Sequence, residues 1–423
     1  MLVGIVLATL VIVHPLNVQD HSRLALTEAL IERGELAIDG YGVPLDRARY
    51  RNHVYTDKAP GLSFAAVPAL VAVHLVERVT GSSEVGVWYR GKTLWIVRVV
   101  VLGPFLMVLA LLMGRVAEGL VEGAGPLVAV AAVLGTMLGA LSSVLFAHVP
   151  AAALAFGAFV VLAHGRTGRC ALAGGGLAGA AVLVEYEVAL IAVALLVYVL
   201  TCRGGRATMW YLLGATPAAI ALGLYNWICF ESPFRLSYRY KDDIYAEKHE
   251  EGFFGLGWPE WHGLVTTLVG GRGLLVTAPI LVLAAIGLFP FARRFRGEAV
   301  LACTIVLLFL ALEAGYFLPY GGTSPGPRFF APALPFLLLG LPYAFRASPR
   351  LTLAFVAASV IISTANSLTW FERTYYSGLK ILPETVWSFG DTPRLPGALL
   401  TFVAAALVVT LAADTALRSR AEP

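Results

Sequence analysis

In a chain that is 58% hydrophobic and 14% charged, residues 17–58 gather most of the side chains able to do chemistry near the N-terminus. They include Asp20, His21, Arg23, Glu28, Asp39, Asp46, His53, Asp57 and Lys58. Asp20 follows an apolar run over 2–16 by four residues, which holds its carboxylate near a bilayer surface. Partial desolvation there can raise its pKa and suit it to take a proton. Its competing reading is the N-cap of a helix over 21–33. Lys58 closes the segment as a point cation suited to a phosphate, or as a lysine snorkelling to an interface. Spaced apolar residues (Leu24, Leu26, Leu30, Ile31, Leu36, Ile38) and Tyr41, Tyr50 and Tyr55 argue for a folded cap over a disordered linker.

The elements that must position these residues are membrane helices. Mean hydropathy is +0.77 over 423 residues, and a soluble protein would carry nearer a quarter charged residues. Long unbroken apolar runs exclude a β-barrel, whose strands alternate. After 2–16 the runs fall at 93–113, 125–147, 150–163, 171–184, 188–202, 207–230, 273–292, 299–318, 329–345, 351–370 and 397–417. The run 61–76 is short, contains Pro68 and ends near His74, Glu77 and Arg78. The basic clusters (Arg115; Arg166, Arg169; Arg203, Arg206; Arg293, Arg294, Arg296; Arg346, Arg350; Arg418, Arg420) share the cytoplasmic side only if 61–76 lies on the outer face without crossing. The expectation is an all-α polytopic membrane protein of about twelve transmembrane helices, with outer juxtamembrane helices in its first loop and both termini cytoplasmic. It forms one domain over 1–423, with a first extracytoplasmic loop over 17–92, a later one over 231–272 and no soluble C-terminal domain. The net charge of +4 reflects these topology-setting clusters and does not point to nucleic acid. The four cysteines lack metal-ligand spacing.

Three stretches resemble the GT-C glycosyltransferases, in the branch of protein O-mannosyltransferases and lipid A aminoarabinose transferases. The first is Asp20 after the first span, Gly34-Glu35-Leu36-Ala37-Ile38-Asp39, and Asp57-Lys58-Ala59-Pro60-Gly61 leading into an apolar helix. The second is Gly321-Gly322-Thr323-Ser324-Pro325-Gly326-Pro327-Arg328-Phe329. The third is Tyr225-Asn226-Trp227 with Phe230-Glu231-Ser232-Pro233-Phe234 and Tyr238. Relatives often carry Asp-Glu or Asp-Asp where this chain has Asp20-His21, and a second-loop acid where it has His148-Val149-Pro150.

The resemblance implies transfer of a sugar from a polyprenyl-phosphate donor to an acceptor hydroxyl, on the outer face of a bacterial-type inner (plasma) membrane. Asp20 would be the general base, with inversion at the sugar. Lys58 and Arg328 are the expected phosphate contacts. Arg328 sits in a Gly/Pro-rich turn that opens a span, where its planar fork can reach a headgroup; its alternative is a salt bridge to a loop acid. Arg272, in Gly270-Gly271-Arg272-Gly273, is a third phosphate candidate. Arg23, His53, Tyr55, Asp57, His148, Glu185, Glu187 and Tyr238 are further substrate-binding candidates. His148 and the pair His53/Tyr55 have structural readings beside the functional one. Glu185 and Glu187 lie between two short runs, where charge is costly unless paired or hydrated. The loop 231–272 reads as a lid or an aromatic interface belt.

Clustered carboxylates are few and hard cations want several oxygen ligands, so a divalent metal is disfavoured without being excluded, and no other cofactor is expected. A lipid or glycan acceptor is expected over a protein, with membrane lipids as the remaining partners. Two other classes fit the composition: a flippase or transporter of a lipid-linked saccharide, and a non-catalytic membrane scaffold. An O-antigen ligase or polysaccharide polymerase would concentrate its chemistry in a later, larger loop. A transporter would place polar residues along mid-span paths and show related halves, whereas Glu313 is the plainest mid-span charge here.

Overall fold

A computed structural model describes residues 16–81, 92–369 and 395–418, together with residues 4, 5, 9, 12 and 14. Most of the expected first span, the loop over 371–394 and the last five residues lie outside the described set. What is described is a helical bundle with one small two-stranded sheet. Seven helices are long and apolar enough to cross a membrane, or eight if a bent pair counts as one span. The chain is therefore an integral membrane protein by length and composition of its helices, and the count of twelve spans is not reached among the described residues.

The differences are specific. The run 61–76 becomes a continuous helix, Gly61–Thr80, that passes through Pro68 and ends at Gly81 in the left-handed region with φ 69°. Its twenty residues rise about 30 Å, so shortness no longer argues against its crossing. The run 125–147 is not one helix. It breaks into Gly125–Val133 and Met137–Ser142, because Thr136 turns extended and caps the second piece through Leu138 N. The run 273–292 breaks at Ala278-Pro279, where Pro279 starts Ile280–Arg294. Together with Trp261–Val269, this pair bends by 92°.

Tight packing rests on small residues. Gly168–Val184 and Gly205–Phe230 pack so closely that a Cβ on Gly175 would lie 1.9 Å from the Tyr211 carbonyl oxygen. Lipid-facing helices gain no hydrophobic drive to associate, so close backbone contact must supply it. The main core cluster is continuous through the bundle. A second cluster ties Ala25 and Leu26 of helix Val18–Glu32 to Ile38, Val43, Tyr55, Tyr225 and Phe230. The first loop is thus a folded cap, as its apolar spacing implies.

The cap is stitched to the later loop. Strands Arg47–Tyr50 and His53–Thr56 pair antiparallel, Tyr50 opposite His53. Ala48 bridges to Lys241, Arg49 Nε donates to Asp242 at 2.9 Å, and Asp46 N donates to Asp243 Oδ2 at 3.0 Å. Tyr240 stacks on Phe230 at 5.3 Å.

Candidate functional site

A cavity of about 310 Å³ opens at one end of the bundle. Its wall takes Asn17, Val18 and Gln19 from the start of the first described helix, Asp46 and Lys58 from the cap, and Phe146 and His148 from before and at the start of His148–His164. Glu185, Tyr238, Lys241, Tyr245 and His249 add a second side. Tyr316 and the segment Gly321–Phe329 close it, with Arg328 among them. These residues lie at helix ends: Glu185 follows Gly168–Val184, Tyr316 follows Arg296–Gly315, and Arg328 begins the 3₁₀ turn Arg328–Ala333.

The two expected phosphate cations both line this cavity, in different states. Lys58 Nζ is held by Asp46 Oδ1 at 3.0 Å and Asp57 Oδ1 at 3.2 Å. Arg328 makes no ion pair among the described residues. It lies between the rings of Phe146 and Phe329, 5.5 and 5.3 Å from their centres, and its Nε is buried without a hydrogen-bond partner. Glu313 is what orients the Arg328 turn, its Oε1 accepting from Phe329 N at 2.8 Å. Arg272 has a different place from the one expected. Its guanidinium donates to Ser324 O at 2.7 Å and Gly322 O at 3.4 Å, and lies over the Tyr320 ring. It braces the Gly/Pro turn that carries Arg328 and does not line the cavity.

Asp20 is enclosed. The helix starts at Val18, capped by Asn17, whose side chain accepts from Asp20 N at 2.9 Å. Asp20 is therefore the third helical residue and not the cap. It is fully buried; one carboxylate oxygen pairs with Arg98 and the other accepts from Leu145 N at 2.8 Å. Arg98, on helix Lys92–Leu120, also donates to His14 O at 2.7 Å. The cavity wall stops at Gln19, one residue short. A proton acceptor needs a lone pair facing its donor, and here both carboxylate oxygens are engaged, by Arg98 and by Leu145 N.

Of the further candidates, three meet at one wall. His148 Nδ1 lies 3.4 Å from Glu187 Oε1 and 3.9 Å from Glu185 Oε2. Glu185 Oε2 also accepts from Arg23 at 3.1 Å, and Arg23 is fully buried with a second bond to Ala59 O. Burial first, and then the Glu187 carboxylate, push the Glu185 pKa up to about 7, against the pull of Arg23 and His148. Tyr238 lines the cavity and meets Tyr186 edge-on at 5.7 Å. Asp57 sits behind the wall. Burial alone would raise its pKa, but Lys241 at 2.5 Å and Lys58 hold it well below the ordinary value. His53 and Tyr55 are remote: His53 is exposed and bonded to Asp39 at 2.6 Å, while Tyr55 packs on Phe230.

Sequence reasoning gave no site role to Asp46, Lys241, Arg98, His249 or Tyr316. Arg98 carried a signal, since it is a charge inside an apolar run. Asp46 and Lys241 did not, because nothing local distinguishes them from the other charges of their loops.

Comparison with known proteins settles the fold. Two crystal structures of ArnT from Cupriavidus metallidurans, one bound to undecaprenyl phosphate and one in the apo state, superpose with TM-scores of 0.55 and 0.52. Each covers 99% of this chain and 75% of ArnT at 15% identity. The fold is that of ArnT, a lipid A aminoarabinose transferase of the GT-C type. No protein-family model and no curated protein matches the sequence.

Proposed function

We propose that this protein is a glycosyltransferase that takes a sugar from a polyprenyl-phosphate donor and passes it, with inversion, to a hydroxyl of a lipid or glycan acceptor outside the cytoplasm. The observation that carries this reading is the pairing of Lys58 with Arg328, free of ion pairs among the described residues, in one cavity at the ends of membrane helices. Such a site suits an anion tethered to the bilayer. A guanidinium between aromatic faces is preset for a phosphate and loses little freedom on binding. The ArnT structure with undecaprenyl phosphate supports the same ligand class.

The acceptor oxygen forms a bond to the anomeric carbon as the bond from that carbon to the phosphate oxygen breaks. The polyprenyl phosphate leaves with the electron pair, and Lys58 and Arg328 stabilise its charge. The acceptor proton needs a carboxylate on the cavity. Asp20 could serve only after its pair with Arg98 opens. Asp46 already lines the cavity, 15% exposed at the side chain, with Lys58 at 3.0 Å and Lys241 at 3.8 Å from its Oδ1. Donor phosphate that draws Lys58 away frees Asp46 Oδ1 from its nearer ammonium at the moment a base is needed. Asp46 is therefore our assignment for the base, with Asp20 holding Arg98 and the Leu145–Phe146 backbone that floors the cavity.

The test is transfer by the purified chain in nanodiscs with a polyprenyl-phosphate sugar, reading product anomer by NMR. Asp46→Asn should bind donor and lose at least about 10²-fold in rate, the lower range for loss of a general base. Wild-type turnover in Asp46→Asn would remove it from the chemistry, and a retained anomer would rule out direct displacement. A transporter reading lacks a comparable observation, since the polar groups gather at one end of the bundle.

A further inference from the structure

The wall formed by His148, Glu185 and Glu187 is not explained by sugar transfer. Two carboxylates and an imidazole offer ligand atoms that all lie within 4.8 Å of one another. His148 and Glu185 are buried and Glu187 nearly so: their side chains are 2%, 4% and 10% exposed. Neither ring nitrogen of His148 has a hydrogen-bond partner, and Glu187 Oε1 has none. A buried imidazole leaves both nitrogens unbonded only at considerable cost. Two buried carboxylates repel unless something positive stands between them.

Arg23 meets this need only in part. It reaches Glu185 Oε2 and Ala59 O and, among the described residues, makes no hydrogen bond to Glu187 or His148. By contrast, the second acidic cluster, Asp46, Asp57 and Asp243, is already answered by ammonium groups: Lys58 at 3.0 Å from Asp46, and Lys241 at 2.5 Å from Asp57 and 2.9 Å from Asp243.

We propose that His148, Glu185 and Glu187 form a binding site for a divalent cation of the zinc class, with its remaining coordination position open to the cavity. Zinc takes imidazole nitrogen and carboxylate oxygen, and a site of three protein ligands keeps a fourth position for water or substrate. A mixed nitrogen and oxygen set favours zinc, manganese or cobalt over magnesium, which takes oxygen alone. Tetrahedral bonds of 2.0–2.1 Å put neighbouring ligand atoms about 3.3 Å apart. The observed 3.4 and 3.9 Å from His148 Nδ1 need only a small contraction. His148 and Glu185 line the cavity that Lys58 and Arg328 also line. The open position would therefore face the same cavity as both cations. The metal site stands on its own ligand geometry and does not depend on which reaction the cavity performs.

The experiment is metal analysis of the full chain in detergent, equilibrated with zinc and then desalted. Wild type should retain about one zinc per chain. Glu187→Gln and His148→Gln should bind at least about tenfold more weakly, since losing a ligand costs no less than losing a partner behind one. Cobalt substituted at the site should give the visible absorption of a four-coordinate centre, lost in both variants. Zinc should also raise the thermal midpoint of wild type but not of either variant. Asp243→Asn, in the lysine-filled cluster, should leave zinc content unchanged. Size-exclusion profiles identify any variant that misfolds, and the two substitutions are read separately, so one failure leaves the other decisive. Wild type that takes up no zinc, manganese or cobalt overturns the proposal and leaves a proton shared by Glu185 and Glu187. Equal zinc in wild type and a well-folded Glu187→Gln overturns it too, as does loss of zinc in Asp243→Asn alone.

Discussion

Replacing Asp20 by Asn separates a structural carboxylate from a catalytic one. Asn keeps the size and still accepts from Leu145 N, which the carboxylate does at 2.8 Å. It removes the charge that faces Arg98, whose side chain is 2% exposed against 0% for Asp20. Arg98 keeps its bond to His14 O, but the carboxylate charge that Asp20 sets against it is removed from a dry site. Breaking a buried pair from one side costs about 3–5 kcal/mol. At 1.4 kcal/mol per tenfold, that lowers the folded-to-unfolded ratio by roughly 10²–10³ or more. Asp20→Asn should therefore lose thermal stability in nanodiscs, and its activity loss should follow the folded fraction. Adding Arg98→Met should restore much of the stability, because replacing both members of a buried pair by apolar groups is often close to neutral. The assay pairs thermal unfolding with transfer rate for the single and double variants. An Asp20→Asn protein that is as stable as wild type yet at least about 10²-fold slower would refute this reasoning and return the proton to Asp20.

Two further outcomes follow from the packing and the charges. Asp57 is held below its ordinary pKa by Lys241 and Lys58, so the stability it adds is fully present above the unfolded value near 4 and is lost as pH falls below it. Protection of the strands Arg47–Tyr50 and His53–Thr56 from hydrogen exchange, relative to the intrinsic rate at each pH, should fall below about pH 4, and Asp57→Asn should lower it at neutral pH; protection that stays constant across this range would show that Asp57 does not tie the cap to the later loop. Gly175→Val should push Gly168–Val184 away from Gly205–Phe230 and cost at least about 1–3 kcal/mol, measured by thermal unfolding, because the new Cβ meets the Tyr211 carbonyl oxygen; unchanged stability would mean the crossing is looser than the geometry shows.

Much of the fold was legible because apolar runs in a membrane protein mark helices almost directly. Gly205–Phe230, Arg296–Gly315 and Pro349–Thr369 begin within three residues of the runs that announced them. The breaks were not legible. Thr136 and Ala278-Pro279 interrupt runs that remain apolar throughout, and hydropathy does not register a turn that neighbouring helices bury. At the site, composition and motif drew attention to Lys58, Arg328, His148 and Glu185, which line one cavity. Partnership stayed hidden. Arg98 answers Asp20 from 78 residues away and Arg23 answers Glu185 from 162, and no local pattern encodes which buried charge meets which. Asp20 was conspicuous by its position after a span, yet only the fold shows that its carboxylate points to Arg98.

The central claim is that Lys58 and Arg328 hold the phosphate of a lipid carried in the membrane, and binding measures it without requiring the sugar or the acceptor. Undecaprenyl phosphate titrated into wild type, Lys58→Ala, Arg328→Ala and Arg328→Lys in detergent, followed by intrinsic fluorescence or calorimetry, reads the site directly. The account predicts saturable binding to wild type and a loss of about 1.5–3 kcal/mol for each alanine variant, the worth of a charge-assisted bond. Arg328→Lys should stay impaired because a point charge cannot reproduce the guanidinium fork. Wild-type affinity in both folded alanine variants would contradict it.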